Sequence, residues 1–209
     1  MADTKEKILL TALHLFAKDG YEAVSVSTIA GELGITKGAL YKHYRNKRDI
    51  FDSILERMIE IDSERAEKFG VPVKEYEQEP DSYGNIPIKS VKSFTLAQFR
   101  FWTEDDFASD FRKMLTLEQY RNTEMSQWYK NCMTKGPVAY MADIFREMME
   151  GGVLKRADPE QLAVEYYAPM YYWITAADGT DDKEDTVERL NHHIDRFFFE
   201  YSADGGGKG

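Results

Sequence analysis

The 209-residue chain contains a single cysteine, Cys132, so no disulfide can form within it and its stability must come from packing. Six prolines are too few for a proline-rich linker or an extended scaffold. Long uncharged apolar runs are missing, which leaves no candidate membrane-spanning helix, and no signal-peptide pattern is present; the expected location is the cytoplasm. The four histidines offer no zinc-ligand spacing, because His192 and His193 are adjacent, about 100° apart on a helix, while His14 and His43 stand alone. Nucleophile elbow, glycine-rich phosphate loop, Cys-x-x-Cys and HExxH are all missing. These gaps argue against an enzyme, and no cofactor or metal is expected. Positive charge is also in deficit: 27 Lys and Arg stand against 37 Asp and Glu, a formal net charge of -10, which taken alone disfavours a nucleic-acid partner.

The deficit is uneven. Residues 34 to 48 read GITKGALYKHYRNKR and hold Lys37, Lys42, Arg45, Lys47 and Arg48 with no carboxylate before Asp49. Residues 1 to 49 carry eight Lys and Arg against six Asp and Glu, a net +2, which leaves -12 for the rest. Basic character therefore belongs to a short N-terminal region, and the acidic remainder would be repelled by a phosphate backbone.

Hydrophobic residues make up 43% of the chain, enough for a packed core, and their spacing is helical almost throughout. Leu9, Ala12, Leu13, Phe16 and Ala17 form a first stripe that stops at Asp19-Gly20. Val26, Ile29, Ala30 and Leu33 form a short second stripe, with Ser25 as N-cap and Gly34 as the turn. Thr36 caps a third helix carrying Leu40, Tyr41 and Tyr44 and ending near residues 45–46; a fourth, with Ile50, Ile54, Met58 and Ile61, runs over about 47–69. Residues 70–87 hold three prolines and no period, and read as a loop. Further helices are expected over about 88–102, 104–119, 122–150 with an interruption at Gly136-Pro137, 159–177 and 182–202, and the glycine-rich tail 204–209 reads as disordered. No β pattern occurs. The expected fold is all-α, with about nine helices.

Two short helices joined by a glycine turn, the second bearing bases and aromatics, form a helix-turn-helix, whose second helix enters the DNA major groove. Gly38 and Ala39 are small enough to let that helix approach base edges, Lys37, Lys42 and His43 project from its exposed side, and Tyr41 can donate its hydroxyl to a phosphate. The competing reading, a solvated surface helix, leaves the turn glycine, the cap and the charge asymmetry unrelated to one another.

The string VSVSTIAGELGITKGALYKHYRNKRDIF resembles the N-terminal DNA-binding domain of the TetR (tetracycline repressor-like) family of bacterial transcriptional regulators. The likeness lies in Ile29-Ala30, the turn Gly34-Ile35, the LYKHY cluster and Lys47, and covers residues 5 to 60. It implies a three-helix DNA-binding domain over 1–48, connected by the fourth helix to a larger helical effector-binding and dimerisation domain over 49–203, in a homodimeric repressor that a small molecule releases from operator DNA. Carried over by position, Ser25, Ser27, Thr36, Lys37, Gly38, Ala39, Tyr41, Lys42, His43 and Lys47 fall where family members touch DNA. The family often has arginine where Ser27 stands and an aromatic where Lys42 stands.

In the larger region, the 159–177 helix is apolar on more than one side: Leu162, Tyr166, Met170 and Trp173 form one stripe, and Val164, Tyr167, Tyr171 and Ile174 another. Such a helix must be covered all round. A second copy of the chain is the simplest cover, through Tyr167, Tyr171 and Ile174 with Leu190, Ile194, Phe197 and Phe198 of the last helix; burial inside one chain is the alternative. The resemblance implies an effector cavity among the middle helices. Its candidate lining is Thr95, Gln98, Phe101, Trp102, Met125, Trp128, Tyr129, Tyr166 and Met170, whose aromatic and thioether character suits a hydrophobic or aromatic effector. A DNA-binding protein that needs no effector is the remaining alternative, with an all-α small-molecule-binding protein or enzyme behind it.

Overall fold

The computed structural model describes residues 4–74, 76–179 and 183–203. Among them are ten α-helices, one short 3-10 turn at Pro80–Tyr83 and no strand beyond an isolated antiparallel bridge between Leu154 and Ser202. The tail 204–209 lies outside the described residues. The helices are α1 Thr4–Asp19, α2 Val26–Glu32, α3 Lys37–Leu40, α4 Lys47–Phe69, α5 Ile88–Glu104, α6 Asp106–Glu118, α7 Thr123–Met133, α8 Lys135–Glu150, α9 Pro159–Ala176 and α10 Glu184–Tyr201. One more helix is present than the periodicity suggests, because the 122–150 block divides at Thr134 rather than at Gly136-Pro137. Pro137 instead sits in the first turn of α8, where its missing N–H has no helical acceptor to lose. Gly136 permits the close join: a Cβ there would lie 1.8 Å from the Asn131 carbonyl oxygen. No described helix is long and apolar enough to cross a membrane.

The chain forms two compact units. The first comprises Met1–Asp62 and Glu104–Tyr129. It holds α1 to α3, most of α4, α6 and the start of α7. Ile8, Phe16, Ile29, Leu40, Ile50, Phe51, Phe111 and Met114 fill its core. Around that core α1 packs on α6, and His14 Nδ1 lies 3.0 Å from Asp110 Oδ2 between them. Arg57 pairs with Glu6 of α1 and stacks over the ring of Phe107 in α6, tying both helices to α4.

The second unit comprises Ser63–Thr103 and Lys130–Gly209. Here α8 packs against α9, and α9 against α10, around an aromatic cluster. Phe145 stacks on Phe197 at 5.3 Å and meets Tyr166 edge-on at 5.3 Å. Phe198 meets Tyr166 at 5.9 Å and Phe197 at 5.4 Å. Edge-to-face pairs of this kind add to the area they bury, by about 0.5–1.5 kcal/mol each. The loop after α4 is held by its own tyrosines: Tyr83 donates to the Lys74 carbonyl at 2.9 Å and Tyr76 to Glu147 at 2.7 Å, while Tyr140 of α8 donates to the Pro72 carbonyl at 2.8 Å.

Across α9 and α10, the Tyr201 hydroxyl donates to Glu165 Oε2 at 2.7 Å. That bond is the main cause raising the Tyr201 hydroxyl to about 12, and it lowers the Glu165 carboxyl. A tyrosine raised on folding contributes stability below its unfolded value near 10 and loses it as pH rises through its folded value. A lowered carboxyl contributes above its unfolded value and loses it as pH falls through the folded one. The melting-temperature difference between wild type and Tyr201→Phe is therefore expected to be largest near neutral pH and to shrink in both directions. A difference that stays level from acid to strongly alkaline pH would show that this hydrogen bond contributes nothing.

Candidate nucleic-acid interface

Local chemistry builds the helix-turn-helix. Ser25 caps α2 by accepting from the Thr28 amide at 3.1 Å, and Thr36 caps α3 by accepting from the Ala39 amide at 3.1 Å. Each capping oxygen accepts through a lone pair, so the Thr36 hydroxyl proton remains to be given to an outside acceptor. Between the caps, Gly34 has φ +64°, the Gly34 amide donates to the Gly31 carbonyl at 3.0 Å and the Ile35 amide to the Ala30 carbonyl at 2.9 Å. This is a complete Schellman ending, and it needs a residue that tolerates left-handed backbone.

The second helix of the pair is shorter than its spacing suggests: α3 is regular only over Lys37–Leu40, then tightens into turns through His43. Amides there reach back three or four residues, Lys42 to Ala39 at 3.3 Å, His43 to Leu40 at 2.9 Å and Tyr44 to Leu40 at 3.2 Å. Two buried side chains hold the segment. Leu40 is fully covered, and Tyr44 is 2% exposed with its hydroxyl donating to the Lys5 carbonyl at 3.3 Å.

On the outer side, Ser25, Ser27, Thr36, Lys37, Gly38, Tyr41 and Lys42 are exposed, whereas Ala39, His43 and Lys47 are half-buried. Nothing inside the chain demands a glycine at 38, since a Cβ there would meet only Thr36 Oγ1, at 3.8 Å. The five bases of the run divide by partner. Arg45 donates to Asp49 at 3.0 Å, which is the main cause raising the guanidinium and lowering the carboxyl. Arg48 is bound to Asp52 and Glu124. Lys47 donates to the Tyr21 carbonyl at 2.7 Å and lies 4.2 Å from the Tyr21 ring centroid. Lys37 and Lys42 are left as exposed cations whose charge faces solvent. Glu124 carries no sequence signal of a role here, because it lies 76 residues from Arg48 and outside the basic run.

The candidate effector residues do not assemble as one group. Thr95 and Tyr166 do meet, their oxygens 2.8 Å apart in the second unit; Thr95 gives its one proton to the Val91 carbonyl at 2.9 Å, so Tyr166 is the donor. Burial is the main cause holding the Tyr166 hydroxyl well above its ordinary range. Gln98 accepts from Arg65 at 3.3 Å, and Arg65 stacks 4.1 Å from the Phe101 centroid. Phe101 and Trp102 are buried neighbours with rings 5.3 Å apart, and Met170 is buried on α9. Met125, Trp128 and Tyr129 belong to the first unit instead.

The assignment of an inter-subunit surface to Tyr167, Ile174, Leu190, Ile194, Phe197 and Phe198 requires correction. Ile174, Leu190 and Ile194 are 0% exposed within a single chain, so no surface remains on them for a partner to bury. Phe197 and Phe198 lie in the aromatic cluster, and Tyr167 is buried with its hydroxyl donating to the Met133 carbonyl at 2.9 Å. Tyr171 stays half-exposed. The apolar side chains that α9 and α10 do present are Val164, Tyr172 and Phe199, at 45%, 64% and 65% exposure.

Comparison with known proteins bears on this geometry. A family model described as bacterial regulatory proteins, tetR family, matches residues 8–54. The chain is 32% identical over 133 residues to the uncharacterized HTH-type transcriptional regulator YerO of Bacillus subtilis, covering 62% of this chain and 41% of YerO. It is 41% identical over 54 residues to the HTH-type transcriptional regulator AcrR of Shigella flexneri, covering 26% of this chain and 25% of AcrR. The chain thus spans less than half the length of these two relatives. In fold it is similar to SmeT, the repressor of the Stenotrophomonas maltophilia multidrug efflux pump SmeDEF, with a TM-score of 0.65 at 22% identity over 99% of this chain and 94% of SmeT. A SmeT–triclosan complex gives a TM-score of 0.64 at 21% identity, over 98% and 94% of the two chains.

Replacing Lys37 or Lys42 with alanine is expected to weaken binding to a selected duplex by about 1 to 3 kcal/mol where the lysine meets a base, with relaxed preference at that position. Lys47→Ala is expected to weaken all duplexes about equally and also to lower the melting temperature, since the Tyr21 contacts go with it. Fluorescence anisotropy on specific and unrelated duplexes, with thermal melts, separates these outcomes; unchanged DNA affinity in all three variants would remove the assignment.

Proposed function

We propose that this chain, whose residues 8–54 match the model of the tetR family of bacterial regulatory proteins, is a member of that family, a repressor that binds operator DNA as a homodimer and leaves it when a small hydrophobic or aromatic molecule binds the second unit. The observation that carries the reading is the capped, glycine-turned helix pair presenting Lys37 and Lys42 to solvent on an otherwise acidic chain. Free space around Gly38 on the outer face supports close approach to base edges. The larger unit supplies the aromatic environment of an effector site, with Thr95 and Tyr166 as its internal polar pair, and SmeT's complex with triclosan supports an effector of that chemical kind. The cytoplasm, where operator DNA lies, is the compartment this reading requires.

A second copy of the chain is the proposed cover for Val164, Tyr172 and Phe199, the large apolar side chains that α9 and α10 leave exposed. Two copies must hold their recognition segments about 34–36 Å apart to meet successive major grooves, so a shift of a few ångströms releases DNA. Selection of bound duplexes from a random-sequence pool tests the DNA-binding half, and failure to enrich any sequence would overturn it. For the dimer, wild type is expected to sediment at twice the 24.2 kDa chain mass and Tyr172→Glu at the chain mass itself; a wild-type monomer at micromolar concentration would overturn that half.

Regulation carries a quantitative requirement. Turning a population from 99:1 to 1:99 takes about 5.5 kcal/mol of differential affinity between the two conformations. Operator DNA must also lower the affinity for an effector by the same factor as the effector lowers affinity for DNA. Screening small molecules, triclosan among them, for release of the selected duplex supplies the ligand, and calorimetry with and without DNA then measures both couplings. Equal effector affinity in the two titrations would show that the second unit does not regulate the first.

A further inference from the structure

Arg48, in the first turn of α4, is held from outside the helix-turn-helix. Its Nη1 donates to Glu124 Oε2 at 2.6 Å and its Nη2 to Glu124 Oε1 at 2.7 Å, the two parallel bonds of a guanidinium fork on a carboxylate. Nε donates to Asp52 Oδ1 at 2.7 Å, and the guanidinium sits 5.3 Å from the Phe51 ring centroid. Its three nitrogens therefore all point at carboxylates, in one orientation that a lysine could not reproduce.

The other end of the pair is equally constrained. Glu124 is in the first turn of α7, which Asn122 caps by accepting from the Glu124 amide at 2.9 Å and the Met125 amide at 3.1 Å. Met125, the next residue, is 1% exposed and anchors that turn in the core. Arg48 sits on the 23-residue α4 and Glu124 on the 11-residue α7, and both residues lie in the first unit. A displacement of α7 thus reaches α4 at the turn that bears Lys47, which follows the Thr36–Tyr44 segment.

We propose that Glu124 is a positioning residue for DNA recognition: from α7, through the forked ion pair with Arg48, it sets the attitude of the DNA-reading segment. This rests on the regulator reading above. It assigns a role in DNA binding to a residue far outside the matched 8–54 domain.

The test uses the full-length chain, an operator duplex obtained by selection and an unrelated duplex of equal length. Glu124→Gln keeps the shape and removes the charge, Arg48→Met probes the pair from the other side, and the double variant closes the cycle. Each single variant is expected to lose about 3- to 10-fold in operator affinity, the range of a forked, partly exposed pair. The double variant is expected to lose no more than either. Affinity for the unrelated duplex, the slope of log affinity on log salt and the melting temperature are expected to stay level. Operator DNA is also expected to slow amide hydrogen exchange over 123–133 in wild type and not in Glu124→Gln, a response that a purely structural ion pair would not give. Wild-type operator affinity in both single variants would overturn the proposal. So would tighter binding by Glu124→Gln with a steeper salt slope, which would make Glu124 a mask over a phosphate-binding Arg48. A wild-type chain that discriminates no duplex would overturn the regulator reading and this inference together.

Discussion

A helix of four residues cannot hold itself, and the second helix of the helix-turn-helix in this chain is one. Forming the first helical turn costs several dihedral angles for one hydrogen bond, and α3 ends before propagation can repay it. What fixes its direction is burial. Leu40 and Tyr44 are the inward pegs, the Thr36 cap closes its start, and the Gly34 turn sets its angle to α2. Because Tyr44 also bonds the Lys5 carbonyl, the Thr36–Tyr44 segment and the start of α1 are registered to each other. Any force that reaches α1 or the first turn of α4 therefore reaches the exposed lysines, and α6 and α7 acquire importance through this dependence.

Charge in the first unit is apportioned rather than accumulated. Five bases crowd residues 37 to 48, yet Arg45 and Arg48 are committed to carboxylates and Lys47 to a backbone carbonyl. Lys37 and Lys42 keep their charge facing solvent. Guanidinium forks are suited to the committed role, since their donors are rigidly arranged, and ammonium groups on flexible stems are suited to meeting phosphates or base edges in more than one pose. The charge left without a partner inside the chain is thus smaller than the basic run suggests.

In the second unit the aromatic cluster of Phe145, Tyr166, Phe197 and Phe198 takes up the Tyr166 side of α9 and the apolar side of α10. Two-sided apolarity in α9 permits either a partner chain or deeper burial in its own. The structure divides the helix: Leu162, Tyr166, Tyr167, Met170 and Ile174 go inward, while Val164 and Tyr172 stay out. Spacing alone could not make that division, since the stripes differ by about 100° steps that neighbours on either side can cover.

Much of what depends on residues within four or five positions of each other was legible in the order of amino acids, the early end of α3 and the break at Thr134 excepted. The Ser25, Thr36 and Asp158 caps, the left-handed glycine at 34 and the helical stripes all follow from local geometry, which each short stretch carries with it. The basic run and the likeness in VSVSTIAGELGITKGALYKHYRNKRDIF belong with them, for both are properties of one continuous stretch. Tertiary structure decided the rest: that Lys47 meets the Tyr21 carbonyl, that Glu124 grips Arg48, that Met125, Trp128 and Tyr129 fall in the first unit, and that Ile174, Leu190 and Ile194 are spent inside the chain. These are pairings between helices, and a helix of given sequence can turn the same side chain toward several neighbours. Only the packing of all of them together, each excluding water from the next, selects one.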